Sequence, residues 1–187
     1  MSSFLGMEIE DSNGNLMIHL DTYIQETLAE YKTTVSKFLK PKQVPMQPEN
    51  KLEIEDCPKI PDLVRQKMYR SFVAELHFAA SWVCCDIGFT ASQLAWFCAS
   101  AGPLHWAALH HAMGYLEENP SFMLSYQRGG SDGLDGFAYS DWGNSITRRS
   151  TTELLSRFKW SSGDPRCRRL SRYRPPKRNT TRRRRWL

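Results

Sequence analysis

No Cys-x-x-Cys pair occurs in the 187 residues, and the cysteines number five, at positions 57, 84, 85, 98 and 167. An odd, scattered set excludes a zinc ribbon and a paired disulfide framework, and it fits an intracellular, reducing compartment. The adjacent Cys84 and Cys85 read as ordinary thiols that behave as small buried hydrophobes. No uncharged stretch reaches the ~20 residues of a membrane helix. The apolar run that starts at Phe72 is interrupted by Glu75, His77 and Asp86. Met1-Ser-Ser opens without the basic and long apolar regions of a secretory signal. The chain therefore reads as soluble, with no membrane partner. Gly-x-x-x-x-Gly-Lys, Gly-x-Ser-x-Gly and Gly-x-Gly-x-x-Gly are all missing, so no small-molecule substrate is expected.

Acidic residues are scarce at one end only. Residues 157–187 hold 13 of the 25 Lys and Arg but one of the 20 acids, Asp164, which puts +12 there and −7 on residues 1–156. Such asymmetry marks a nucleic-acid-binding arm or a segment that does not fold. The arginines that would meet phosphates are Arg168, Arg169 and Arg182, Arg183, Arg184 and Arg185. Binding through them would be non-specific, driven by counterion release. The same text has a second reading. Arginine and serine each have six codons, so GC-rich DNA read out of frame yields such stretches.

What is present reads as one domain or two small ones. Phe4–Ile9 and Leu16–Leu20 predict two strands, with Asp11–Asn15 between them as the turn and Asn13-Gly14 able to take positive φ, a hairpin over about 4–20. Asp21 reads as the cap of a helix running to about 38, with Tyr23, Ile24, Leu28, Tyr31 and Val35 at helical spacing. Five prolines between 41 and 61 rule out a continuous helix and predict an extended connector. Asp62 reads as the next cap, for a helix through Ala80 that breaks near Cys85-Asp86. A further helix is predicted from about Phe89 to Ala99, and another from Pro103 until Asn119-Pro120. Strands are predicted near 121–126 and 134–138, with 152–158 as the partner of the second. Past Trp160 the apolar residues have no period, and self-repulsion predicts disorder.

Few groupings suggest chemistry. His105 and His110 are five apart, on different faces of a helix, with no Glu between them, so no metal site is expected. Glu8 and Glu10 alternate with Met7 and Ile9 and read as the wet face of a strand. Asp141 stands at the end of the strand-like run Gly136–Tyr139, a place where carboxylates often hold ions for phosphodiester chemistry.

Several segments, taken in order, resemble the polyprotein of copia-type retrotransposons. They are Phe4-Leu-Gly-Met-Glu-Ile9, Tyr23-Ile24, Val44-Pro-Met46, Tyr69-Arg-Ser71, Ser92-Gln-Leu94, His105-Trp106, Tyr115-Leu116 and Arg148-Arg-Ser-Thr-Thr152. Cys85-Asp86-Ile87 stands where that family has Arg-Pro-Asp-Ile, with Cys84 in the arginine's place. The resemblance covers about 150 residues. It implies the end of a reverse transcriptase beyond its palm, followed by the opening of an RNase H domain.

The resemblance also implies a fate for the active site. The family's segment reads Gly-Tyr/Phe-small-Asp-small-Asp-Trp. Aligned on Asp141-Trp142, its first aspartate, a metal-binding catalytic carboxylate, falls on Tyr139. After Thr152 relatives continue with a further strand and an acidic helix, whereas this chain turns to arginine-rich text, as after a frameshift. The palm aspartates would lie upstream of Met1.

The expectation is an α+β fold: a β-hairpin and a helical, thumb- and connection-like region over 1–120, an incomplete RNase H-like hairpin over 121–158, and a disordered basic tail over 159–187. The expected function is that of a non-catalytic remnant. No cofactor is expected, although intact members use Mg²⁺. The rival expectation is a small, non-enzymatic nucleic-acid-binding protein with an arginine-rich arm.

Overall fold

In the computed structural model, which describes residues 2–12, 15–35, 38–47 and 52–127 and the backbone of strands at 133–141, 151–159 and 170–174, Phe4–Ile9 is two strands rather than one. Strand β1 (Ser2–Phe4) folds back on β2 (Met7–Ser12), with Phe4 opposite Met7. Leu5 and Gly6, at φ 51° and 78°, make the turn between them. Two consecutive left-handed residues are what a two-residue hairpin of this hand requires. Glycine takes that conformation without strain, and Leu5 tolerates it at an exposed tip.

Strand β3 (Asn15–His19) pairs antiparallel with β2, Ser12 opposite Asn15 and Glu8 opposite His19. This is the predicted hairpin, although Asn13 and Gly14 themselves lie outside the described residues. Strand β4 (Met123–Gln127) then adds to the far side of β3, so the sheet order is β1-β2-β3-β4. The sequence reading grouped this strand with those that follow; its hydrogen-bond partner is the N-terminal hairpin.

All four helices lie in the chain between β3 and β4. They are α1 (Asp21–Val35), α2 (Leu63–Trp82), α3 (Gly88–Ala95) and α4 (Pro103–Glu118). The result is a mixed helix-and-sheet fold around a four-stranded antiparallel sheet. Ile24, Thr27, Leu28 and Tyr31 form the buried stripe of α1. Phe72, Val73, Leu76 and Ala79 do so on α2, and Leu109, Met113 and Leu116 on α4. Their apolar members make one core with Met7 and Leu124 from the sheet and with Leu20, which follows β3. Leu94, Leu109 and Met113 are fully buried, each worth about 1.5–3 kcal/mol relative to exposure. Tyr31 meets Phe72 edge to face at 4.9 Å, and Tyr69 meets Trp106 at 5.4 Å.

Two details differ from expectation. Asp21 is the first residue of α1 rather than its cap, because the Ile24 amide already bonds back to Leu20 O at 2.9 Å, and the Thr22 amide is taken by Glu8 from β2, at 3.1 Å. Helix α3 stops at Ala95 instead of Ala99. Trp96, Phe97 and Cys98 turn back by bonds to residues three before them. The competition comes from α2. Gln66 Nε2 donates to the carbonyls of Phe97 and Cys98 (3.3 and 2.6 Å), its Oε1 accepts from the Ala101 amide (2.9 Å), and the Tyr69 hydroxyl donates to Leu94 O (3.1 Å). Leu170–Arg174 forms strand β7. It pairs with the edge of β6 (Thr151–Lys159), which pairs in turn with β5 (Gly133–Asp141). Main-chain bonds to an open strand edge need no apolar period.

Other expectations match. Asp62 Oδ1 accepts from the amides of Val64 and Arg65 at 3.0 and 3.3 Å and caps α2. The described part of the connector holds only a short 3-10 turn, Ile54–Asp56. Among the described residues no helix is long and apolar enough to cross a membrane.

Candidate functional site

Strand β5 persists through both positions singled out in the sequence. Tyr139 is the cross-strand partner of Glu153, and Asp141, the last residue of β5, is the partner of Thr151. Glu153 is therefore a carboxylate-bearing position directly opposite the tyrosine. Of the arginines expected to meet nucleic acid, Arg168, Arg169 and Arg182 to Arg185 all lie outside the described residues.

The histidines of α4 each have a structural partner. The Gly102 amide donates to His105 Nδ1 at 2.9 Å, which closes the start of the helix. Burial holds this imidazole below the usual histidine range, and its ring stacks on Phe97 at 3.9 Å. A Cβ on Gly102 would stand 1.9 Å from Asp56 O, so only glycine fits there. His110 Nε2 donates to Phe38 O at 3.2 Å, which leaves Nδ1 to accept from the Tyr31 hydroxyl at 3.3 Å. His111 Nε2 donates to Val44 O at 2.9 Å. These two rings pin the connector to α4.

A denser set of titratable groups sits where the sheet meets α1. His19 closes β3 and is 8 % exposed. Its Nδ1 lies 3.3 Å from Glu8 Oε2 and 3.5 Å from Asp21 Oδ1, and its Nε2 lies 3.8 Å from Glu10 Oε1. The carboxylates approach both ring nitrogens, so they surround the imidazole rather than a common point. Among the described residues no group of three or more His, Cys, Asp or Glu side chains is placed to hold a metal ion. The Thr22 side chain holds the Glu8 carboxyl below its ordinary range against the opposing effect of burial, with the Thr22 amide and then His19 helping.

Next to this cluster lie Cys84, Asp86 and Tyr115. The Tyr115 hydroxyl donates a short hydrogen bond to Asp86 Oδ2, while Asp86 Oδ1 and Asp21 Oδ1 are buried without hydrogen-bond partners. Burial first, then Asp86, Cys85 and Asp21, pushes the Cys84 thiol up to about 12. Burial, then Asp86, pushes the Tyr115 phenol well above its ordinary value. Both are protonated at neutral pH and neither is an activated nucleophile. The thiol expectation holds for Cys84, which is buried, while Cys85 is half-buried.

Sequence reasoning missed this cluster by treating Glu8 and Glu10 as solvated. The pairing that exposes it is Ser12 opposite Asn15, because counting outward from that pair sets Glu8 opposite His19.

No family model matches the chain, and no solved structure matches it. A curated protein that it resembles is secreted RxLR effector protein 161 of Plasmopara viticola, 32% identical over 79 residues, which make up 42% of this chain and 54% of the effector. The chain thus spans about half the length of that relative.

Proposed function

We propose that the chain is a non-catalytic remnant of a copia-type retrotransposon polyprotein, from the thumb- and connection-like end of the reverse transcriptase into the opening strands of RNase H. The observation that carries this reading is position 139. Strand β5 runs through Tyr139 and Asp141, and β6 sets Glu153 opposite Tyr139. A strand scaffold is kept, while a phenol stands where the resemblance puts the first catalytic aspartate. The donor set does not fit the Mg²⁺ pair that intact members use. A phenol with a pKa near 10 is uncharged at neutral pH, and magnesium takes anionic oxygens. The ordered segments support the same reading, because they fall in sequence on β1 and β2, α1, the connector, α2, the turn at Cys85–Ile87, α3 and α4.

Translating the underlying DNA in its other two frames after codon 152 tests this. One frame should restore a glycine, a strand, a Trp-x-Ser-Lys segment and an acidic helix. Their absence from both frames would remove the frameshift from the account.

The charge division favours a second reading, a small nucleic-acid-binding protein that works through its arginine arm, since +12 of charge lies within residues 157–187. Filter binding of the full chain to DNA and RNA across a salt series tests it, and binding that survives deletion of 157–187, or that ignores salt, favours this second reading. The arm by itself gives sequence-independent binding that weakens steeply with salt and vanishes on deletion of 157–187. Binding that survives the deletion belongs to the body of the protein.

A further inference from the structure

Glu75 stands in the middle of α2, beside the buried stripe of Phe72, Leu76 and Ala79. It is half-buried, and its Oε2 is shielded from water without a hydrogen-bond partner. Helix α1 lies against it. The Tyr23 hydroxyl donates to the main-chain carbonyl of Glu75 at 3.5 Å, and the Tyr23 ring packs on Phe78 at 4.9 Å. Tyr23, the buried Thr27 and Glu30 follow one another along one side of α1. Among the described residues, the titratable groups that act on Glu75 are Tyr23 and Glu30, both from α1, and neither supplies a positive charge.

We propose that Glu75 is a proton-operated latch between α1 and α2: protonated, it lets α1 pack, and ionised, it loosens α1 from α2. Burial first, and then Glu30, pushes this carboxyl up to about 7. Burial, then the charge of Glu75, raises the Tyr23 phenol in turn. The sign follows from linkage. The packed state holds the proton more tightly than an open state with a pKa near 4.3, so the stabilisation is complete below about pH 4.3 and is lost as pH rises through about 7. The response is local, because both ends of α1 are tied elsewhere. Glu8 caps Thr22, and Lys32 Nζ meets Glu117 Oε1 at 2.5 Å.

Hydrogen exchange on the full chain, corrected for intrinsic rates, reads the latch directly. Between pH 6 and pH 8 the amides of residues 24–31 should lose about tenfold in protection relative to those of 109–116 in α4, which is the linkage for a carboxyl that titrates near 7. Glu75→Gln should abolish the difference, and Glu30→Gln should shift the midpoint down. Equal pH dependence in wild type and Glu75→Gln, or parallel loss in α1 and α4, would overturn the proposal.

Discussion

The carboxylate of Glu8, on strand β2, accepts the backbone amide of Thr22 in the first turn of α1 at 3.1 Å, and its other oxygen lies 3.3 Å from His19. A sheet residue thus does the work usually given to the residue before a helix. Glu8→Ala should cost about 0.5–2 kcal/mol, the range for losing a helix cap. Because the native carboxyl titrates below its ordinary range, this stability is present above the ordinary carboxylate pKa and lost as pH falls through the lowered one. Thermal melts of wild type and Glu8→Ala should therefore converge as the pH is taken from 7 towards 3.

Gly114 faces the connector. A Cβ there would stand 2.3 Å from Lys40 O, a main-chain atom that cannot swing aside. Gly114→Ala should destabilise by about 1–3 kcal/mol through overpacking, although alanine improves a helix interior by roughly 1 kcal/mol. Gly6→Ala is the contrasting case. Nothing lies within 4 Å of its added carbon, but φ is +78°, so its cost is backbone strain of about 1–2 kcal/mol. Urea denaturation of both variants compares the two costs.

The elements that could be read from the sequence are those with a strong local signal. The stripe on α1, the Asp62 cap and the Gly102-Pro103 start all rest on residues within a turn or two of one another. What could not be read depends on partners distant in sequence. Gln66 shortens α3 from 31 or more residues away, Glu8 caps a helix 14 residues on, and β4 returns to β3 across four helices. The histidines show the same division. Spacing argued against a metal, but only the fold reveals that His110 and His111 hold the carbonyls of Phe38 and Val44.

Cys84 offers a test of the resemblance inside the folded body. By the proposed copia-type alignment it takes the place of an arginine, and it is 1% exposed beside Asp86 and Asp21, each of which has a buried oxygen with no hydrogen-bond partner. A guanidinium at 84 would satisfy such oxygens. Its bulk would also cost packing energy, so the net effect of Cys84→Arg alone is not diagnostic. Its coupling to Asp86 is. In a double-mutant cycle, Cys84→Arg should be at least about 1 kcal/mol less costly with Asp86 present than in an Asp86→Asn background. Zero coupling in chemical denaturation would mean that position 84 never faced these carboxylates as a cation.

Tyr139 decides whether catalytic competence is one substitution away. The chain as it stands should show no Mg²⁺-dependent cleavage of an RNA–DNA hybrid. Tyr139→Asp would set an aspartate opposite Glu153 and two residues from Asp141 on the same strand. Even so, it should not restore cleavage. A two-metal site needs carboxylates that close around both ions, and those named here come from two adjacent strands of one sheet. In the proposed copia-type family an acidic helix downstream supplies the closing group, and after Thr152 this chain has only Glu153 and Asp164 as acids. The assay compares wild type, Tyr139→Asp, and Tyr139→Asp joined to an in-frame downstream RNase H segment, each in Mg²⁺. Only the joined protein should cut. Cleavage by the wild-type chain that Asp141→Asn abolishes would refute the alignment at position 139, and the remnant reading with it.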